Sequence, residues 1–242
     1  MSRPRTPLLR PQSYFQAHDG SPPLGDAMIA VLVVAVVTAG GVGLFLSEFD
    51  RAVDATVTMD NPEHVPEWAC ENYAESDIST PSGCHPSVPE TVERDVGSLV
   101  VEKYSWLPLV VLLFVPVLWV FQGAVLHGAS ALFDGKGTFS DTLAVAGWGM
   151  VPSVTRMLAI GALLVYQLRT TTFPGSTEGA VAALEAAFAG LSTISLVATA
   201  VVAVWAGAVR VYGLASAREI TTGEAFWIVL ASTLVGLLFE AV

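Results

Sequence analysis

Five stretches of this chain carry no more than two charged side chains each: residues 26–47, 106–132, 142–168, 180–211 and 224–242. No other feature limits the fold so strongly. A hydrocarbon layer about 30 Å thick takes roughly 20 apolar residues to cross as an α-helix. Inside it every backbone N–H and C=O must bond within the protein, so runs of this length are helices. Barrel strands would show segments of about 10 residues that alternate apolar and polar, and none is visible. Hydrophobic residues make up 53% of the chain and charged residues 14%, a balance that excludes an ordinary soluble domain.

The predicted fold class is therefore all-α: a polytopic membrane protein, a five-helix transmembrane bundle with an extracytoplasmic loop insertion between helices 1 and 2. Residues 1–25 form a polar, proline-bearing cytoplasmic tail with a disordered start, and Tyr14 and Phe15 mark a short segment on the membrane surface. Residues 26–47 are the first span, an uncleaved signal anchor in which Gly40, Gly41 and Gly43 permit close helix approach. Residues 48–105 are an acidic extracytoplasmic loop whose Thr91–Lys103 stretch reads as a helix leading into the next span. Residues 106–132 are the second span, with Trp106 and Trp119 as interfacial anchors, and residues 142–168 are the third, kinked near Pro152. Residues 180–211 hold the fourth span, whose membrane-crossing part starts near Leu191. A polar loop follows from Tyr212 to Gly223, and residues 224–242 are the fifth span. Lys and Arg near the span ends favour a cell-membrane protein with its N-terminus in the cytoplasm and its C-terminus outside.

Between residues 48 and 103 stand thirteen acids and three bases, nearly all of the net charge of −11. Such a surface does not suit nucleic acid, which needs a basic footprint. It fits a hydrated acidic exterior of the kind a halophilic archaeon carries. The two cysteines of the chain, Cys70 and Cys84, lie in this loop, on the oxidising side. They are expected to pair as a disulfide. A metal site with His64 and His85 is the alternative, but the spacing fits no standard zinc pattern.

Two polar residues stand out inside the spans. Arg156 lies near the middle of the third, where an arginine costs at least roughly 2.5–3.5 kcal/mol unless it faces the bundle or water. Carbonyls freed by Pro152, or Gln122, His127, Glu185 and Glu240, are its candidate partners. His127 lies in the second span and reads as a satisfied core histidine. Together Arg156 and His127 define a candidate intramembrane polar site. The Gly135-Lys136-Gly137-Thr138 loop lacks the spacing and the preceding strand of a phosphate-binding loop. No catalytic, metal-binding or cofactor-binding constellation is legible.

Three places resemble the Yip1 domain family of five-span membrane proteins. One is the loop Phe133, Gly135, Gly137, Phe139, followed by Gly147-Trp148 and Pro152. The second is Trp205 to Ala225, and the third is Tyr14-Phe15 with the Asp26-Ala27 entry to the first span. The loop at residues 50–103 departs from the compact family pattern. The resemblance implies a five-helix bundle with a cytoplasmic N-terminus. Eukaryotic members act in vesicle traffic with prenylated GTPases, a role that depends on partners this sequence does not display. The expected function is a non-catalytic membrane scaffold or adaptor, in contact with lipid and with other membrane proteins or copies of itself. A small transporter, channel or lipid-handling protein built around Arg156 is the alternative.

Overall fold

The computed structural model describes residues 5–74 and 79–240 and divides the chain into two compact units. Unit 1 takes in the chain up to Phe45, then Trp106–Tyr166 and the part from Gly190 onward; unit 2 comprises Leu46–Ser105 and Gln167–Ala189.

Unit 1 is helical. It contains α1 (Pro11–Ala17), most of α2 (Leu24–Ala52), α5 (Leu107–Ala131), α6 (Phe139–Met150), most of α7 (Ser153–Thr170), α9 (Leu191–Arg218) and α10 (Thr222–Glu240). Helix α6 is the centrepiece, packed between α5 and α9, while α10 lies against α9 and α5. Every residue of α6 from Ala144 to Gly149 is buried. Its Ala and Gly positions let neighbouring backbones approach closely. One core cluster joins Val31 and Ala35 of α2, Leu126 of α5, Ala146 of α6, Leu214 of α9 and Val229 of α10. A second gathers Tyr14 and Phe15 of α1 with Ala144, Val145, Trp148 and Val209.

The outward faces are apolar too. Leu113, Phe114, Val117 and Phe121 of α5 and Val201 and Val204 of α9 are all exposed. A water-soluble monomer does not leave such continuous apolar surface open; lipid covers it at no cost. Among the described residues four helical stretches are long and apolar enough to cross a membrane: Leu24–Ala52, Val96–Ala131, Phe139–Thr170 and Thr177–Arg218. The segment expected as a fifth span appears as a shorter apolar helix, Thr222–Gly236.

Several sequence expectations change in unit 1. Tyr14 and Phe15 are 1% and 0% exposed, so α1 is core and not a surface segment. Trp119 is likewise buried, its Nε1 donating to Leu143 O at 2.8 Å, so it anchors α6 instead of marking an interface. The third span is not one kinked helix but two, separated at Val151–Pro152. Proline has no N–H and its ring collides with the carbonyl four residues back. Short-range bonds replace the ladder there, Val151 N to Trp148 O (3.3 Å) and Val154 N to Val151 O (3.0 Å). The Ser153 hydroxyl takes up Met150 O at 2.6 Å. Finally, α9 runs through most of the expected polar loop and ends only at Arg218. Gly213, Leu214 and Ala217 continue its buried face, and that burial outweighs the polar residues between them.

Unit 2 holds a two-stranded ribbon that the all-α expectation did not include. Strand β1 (Thr56–Asp60) pairs antiparallel with β2 (Thr91–Asp95), Thr56 opposite Asp95 and Asp60 opposite Thr91. The stretch expected as one helix from Thr91 is thus a strand followed by α4 (Val96–Tyr104), with Asp95 capping α4 through Ser98 N at 2.8 Å. Helices α3 (Glu67–Ala74) and α8 (Thr177–Phe188) complete the unit. Val53, Ala55 and Ala180 form its small core. Glu48, only 4% exposed, receives Arg169 Nε and Nη2 at 2.8 and 2.7 Å, a bidentate pair that joins the ends of α2 and α7.

Cys70 and Cys84 form a disulfide, with Cα atoms 5.6 Å apart. It links α3 to the turn at Ser82–Cys84, where Gly83 lies against the Glu63 carbonyl. Closing a loop of this size stabilises by about 3 kcal/mol in the chain-entropy model. Reduction is therefore expected to loosen unit 2 and to leave unit 1 folded. Hydrogen exchange with and without reductant checks this: faster exchange confined to unit 2 is the expected result.

Candidate functional site

The end of the bundle where α5 turns into α6 carries a dense polar network. Helix α5 stops at Ala131, and Phe133 N and Gly135 N both return to Ser130 O, at 3.1 and 3.0 Å. Thr138 then starts α6 with a capping box. Asp141 N donates to Thr138 Oγ1 at 3.3 Å, and Thr138 N donates to Asp141 Oδ2 at 3.0 Å.

The loop between these points closes around one side chain. Arg218, at the last position of α9, is 3% exposed. Its Nε donates to Ser130 Oγ (2.8 Å), its Nη1 to Gly137 O (2.6 Å) and its Nη2 to Gly135 O (2.7 Å). Between the two glycines, Lys136 N donates back to the Arg218 carbonyl at 2.8 Å. The fork of the guanidinium thus gathers alternate carbonyls of the loop, and the loop satisfies a carbonyl that the helix end leaves open. The polarity is the reverse of a phosphate cradle: the loop presents C=O groups to a cation, not N–H groups to an anion.

Gly137 sits at φ +84°, and a Cβ there would overlap the Ala217 carbonyl. Gly20, from the loop after α1, presses in the same way on the Ser216 carbonyl at φ +79°. Two separate loops therefore rest on consecutive carbonyls of the last turn of α9. Gly137→Ala adds left-handed strain and a backbone collision. It is expected to cost about 2–3 kcal/mol. Gly40→Ala, where a Cβ meets open space, is expected to be neutral or to stabilise by about 0.5–1 kcal/mol. Thermal melts of the two variants side by side check the pair.

His127 belongs to this network. Its Nδ1 lies 3.1 Å from Thr142 Oγ1, its ring stands edge-on to Phe139, and its carbonyl receives the Ser130 hydroxyl at 2.9 Å. Arg156 lies elsewhere: its Nη1 donates to Thr199 Oγ1 of α9 at 2.9 Å. Thr142 and Arg156 are fourteen residues apart, on opposite sides of the α6–α7 break. So the structure brings His127, Gly135 and Gly137 together around Ser130 and Arg218, and gives Arg156 a different partner. Pro152 is buried at the α6–α7 break. Of the partners proposed for Arg156, the side chain of Glu240 lies outside the described residues.

A family model for the Yip1 domain matches residues 6–241. The chain belongs to the Yip1 domain family. No curated protein and no solved structure matches it. The Yip1 domain match runs through both units, from the N-terminal segment into α10. This Yip1 domain protein is an integral membrane protein.

The loop glycines were legible in the Yip1 sequence pattern; Arg218 was not. In sequence it reads as one more basic residue in the polar loop from Tyr212 to Gly223. The missed signal is the spacing Val209, Gly213, Leu214, Ala217, a helical stripe that carries α9 up to the arginine. Among the described residues no group of His, Cys, Asp and Glu has the arrangement of a metal site. His64 and His85 are tied to Val88 O (3.3 Å) and Ser87 Oγ (2.7 Å), and both cysteine sulfurs are used in the disulfide.

Proposed function

We propose that this Yip1 domain protein is a non-catalytic membrane scaffold or adaptor that presents the Phe133–Asp141 loop to other membrane proteins or to copies of itself. One observation carries the reading. The backbone of the loop is held in shape, chiefly by the three bonds from Arg218. Around that fixed backbone the loop displays apolar side chains: Leu132 is 85% exposed, and Phe133 and Phe139 are also exposed, beside the exposed Asp134, Lys136 and Ser140. A loop held rigid by internal bonds that displays hydrophobic side chains among polar ones is suited to binding.

In this reading α10 is the fifth span, the N-terminus and the loop end face the cytoplasm, and residues 48–105 form an extracytoplasmic insertion in the cell membrane. A transport or lipid-handling role around Arg156 and His127 has less support, since the two residues have different partners.

Cross-linking in native membranes, read by mass spectrometry, tests the proposal. Reproducible cross-links from Lys136 to one or two membrane proteins, or to a second copy, are expected. They should disappear in Leu132→Asp. If Lys136 yields none, or if the Leu132→Asp pattern matches the wild type, the adaptor reading is wrong.

A further inference from the structure

Helices α6–α7 and α9 form an antiparallel seam. Gly137 rests on Ala217, Gly213 on Val145, Gly149 on Arg210, and Arg156 bonds Thr199. Arg210 is the anomaly in this series. It lies eight residues before the end of α9, about 12 Å into the helix from Arg218. Its Nε is buried and makes no hydrogen bond, and Nη2 makes a single long bond, 3.3 Å, to Gln122 Oε1 of α5. Gly149 seats the side chain: a Cβ there would come within 2.6 Å of Arg210 Cγ and Nε.

Among the described residues Arg210 forms no ion pair. Residues 107–131, 142–168 and 191–217 contain no Asp or Glu, and α10 has none between Ala225 and Gly236. Arg210 as a whole is half-buried; an arginine with its Nε covered among neutral groups is costly, and proteins normally offset it with an anion and with hydrogen bonds to every edge of the guanidinium. Arg218, at the end of the same helix, has three oxygens within 2.8 Å; Arg210 has one, and a weak one. A planar guanidinium with free donors beside a rotatable carboxamide is matched to a tetrahedral or planar oxyanion, which accepts two parallel N–H bonds.

We propose that Arg210 and Gln122 form an intramembrane site for a phosphate-class oxyanion, either the phosphate of a phospholipid headgroup or free inorganic phosphate. The inference is independent of the scaffold reading: a bound phosphate would complete the charge balance of the bundle whatever the loop end binds. In the occupied site the Arg210 fork donates to two phosphate oxygens, and Gln122 turns its amide to donate a third bond.

The decisive variant is Gln122→Glu. It places a carboxylate where the amide oxygen now meets Arg210, and so supplies the missing charge from within the chain. The full-length protein, purified in mild detergent, is examined by native mass spectrometry for retained phospholipid. A delipidated sample is titrated with inorganic phosphate and followed by thermal unfolding, with chloride at equal ionic strength as control. Retained phospholipid in the wild type that is absent in Gln122→Glu identifies a lipid phosphate. A phosphate-specific rise in Tm that weakens at least about tenfold in Gln122→Glu identifies free phosphate. Arg210→Gln should lose the same response, and Gln122→Glu keeps the test valid if Arg210→Gln does not fold. Binding by Gln122→Glu at wild-type strength overturns the proposal, as does a wild type that binds neither species.

Discussion

Arg218→Leu is expected to be the most damaging single substitution at the loop end, at a cost of about 3–5 kcal/mol. Three bonds from a charged donor disappear together, and the loss does not end there. The Gly135 and Gly137 carbonyls and the Ser130 hydroxyl are left without their partner in a site that the guanidinium had filled. An unmet buried acceptor costs about 1–3 kcal/mol by itself. Arg218→Lys keeps the charge but offers one compact ammonium in place of a planar fork. It cannot span three oxygens set around the loop, so about half of the loss should remain, roughly 2 kcal/mol. Thermal unfolding in detergent gives the ranking, and limited proteolysis at Lys136 reports the loop directly. If Arg218→Leu melts like the wild type and its loop stays protected, the clamp does not hold the loop.

Phe15→Ala is expected to cost nearly as much, about 3–5 kcal/mol. The Phe15 ring is fully buried, against Gly213 of α9, where an added Cβ would meet Phe15 Cζ at 2.9 Å. Its neighbour Tyr14 stands edge-on to Trp148 of α6, ring centres 5.9 Å apart. Burial, with the Asp26 charge adding to it, holds the Tyr14 phenol above its ordinary range, so it stays neutral. The segment before α1 is tied down as well, since Trp205 Nε1 donates to Leu8 O at 2.7 Å. Removal of the Phe15 ring therefore opens a cavity under α1 and frees the N-terminal segment from α9. Leu9→Ala is the control: Leu9 is 89% exposed, and its loss should stay within about 0.5 kcal/mol. Melting temperatures of the two variants decide, together with protease sensitivity before residue 20. Equal behaviour of the two would mean that α1 is not part of the core.

Both positions show how much of the molecule was readable beforehand. The apolar runs pointed to membrane helices because hydrocarbon leaves the backbone no other choice. Gly135, Gly137 and Pro152 could be picked out because backbone demands leave a residue-type signature: left-handed φ at Gly137, a lost ladder at Pro152. The cysteine pair was legible as well, because Cys70 and Cys84 are the two cysteines of the chain and stand in one loop. The ribbon in unit 2 was not, since a strand of five residues such as Thr91–Asp95 draws its stability from the partner strand at Thr56–Asp60, and thirty residues of sequence separate them.

Side-chain roles divide along the same line. The sequence alone determined that the chain is a helical membrane protein and that Gly135 and Gly137 lie in a loop between two of its helices. These follow from composition, periodicity and backbone sterics, which act over a few neighbours. Only the tertiary structure decided that Arg218 holds that loop, that His127 joins it while Arg156 meets Thr199, that Tyr14 and Phe15 are core, and that Arg210 faces Gly149 without a countercharge. An arginine or a phenylalanine has the same local pattern whether it faces lipid, water or a carbonyl. What it meets is set by the packing of the N-terminal segment, α5 and α6 against α9, which brings together residues as much as 197 positions apart.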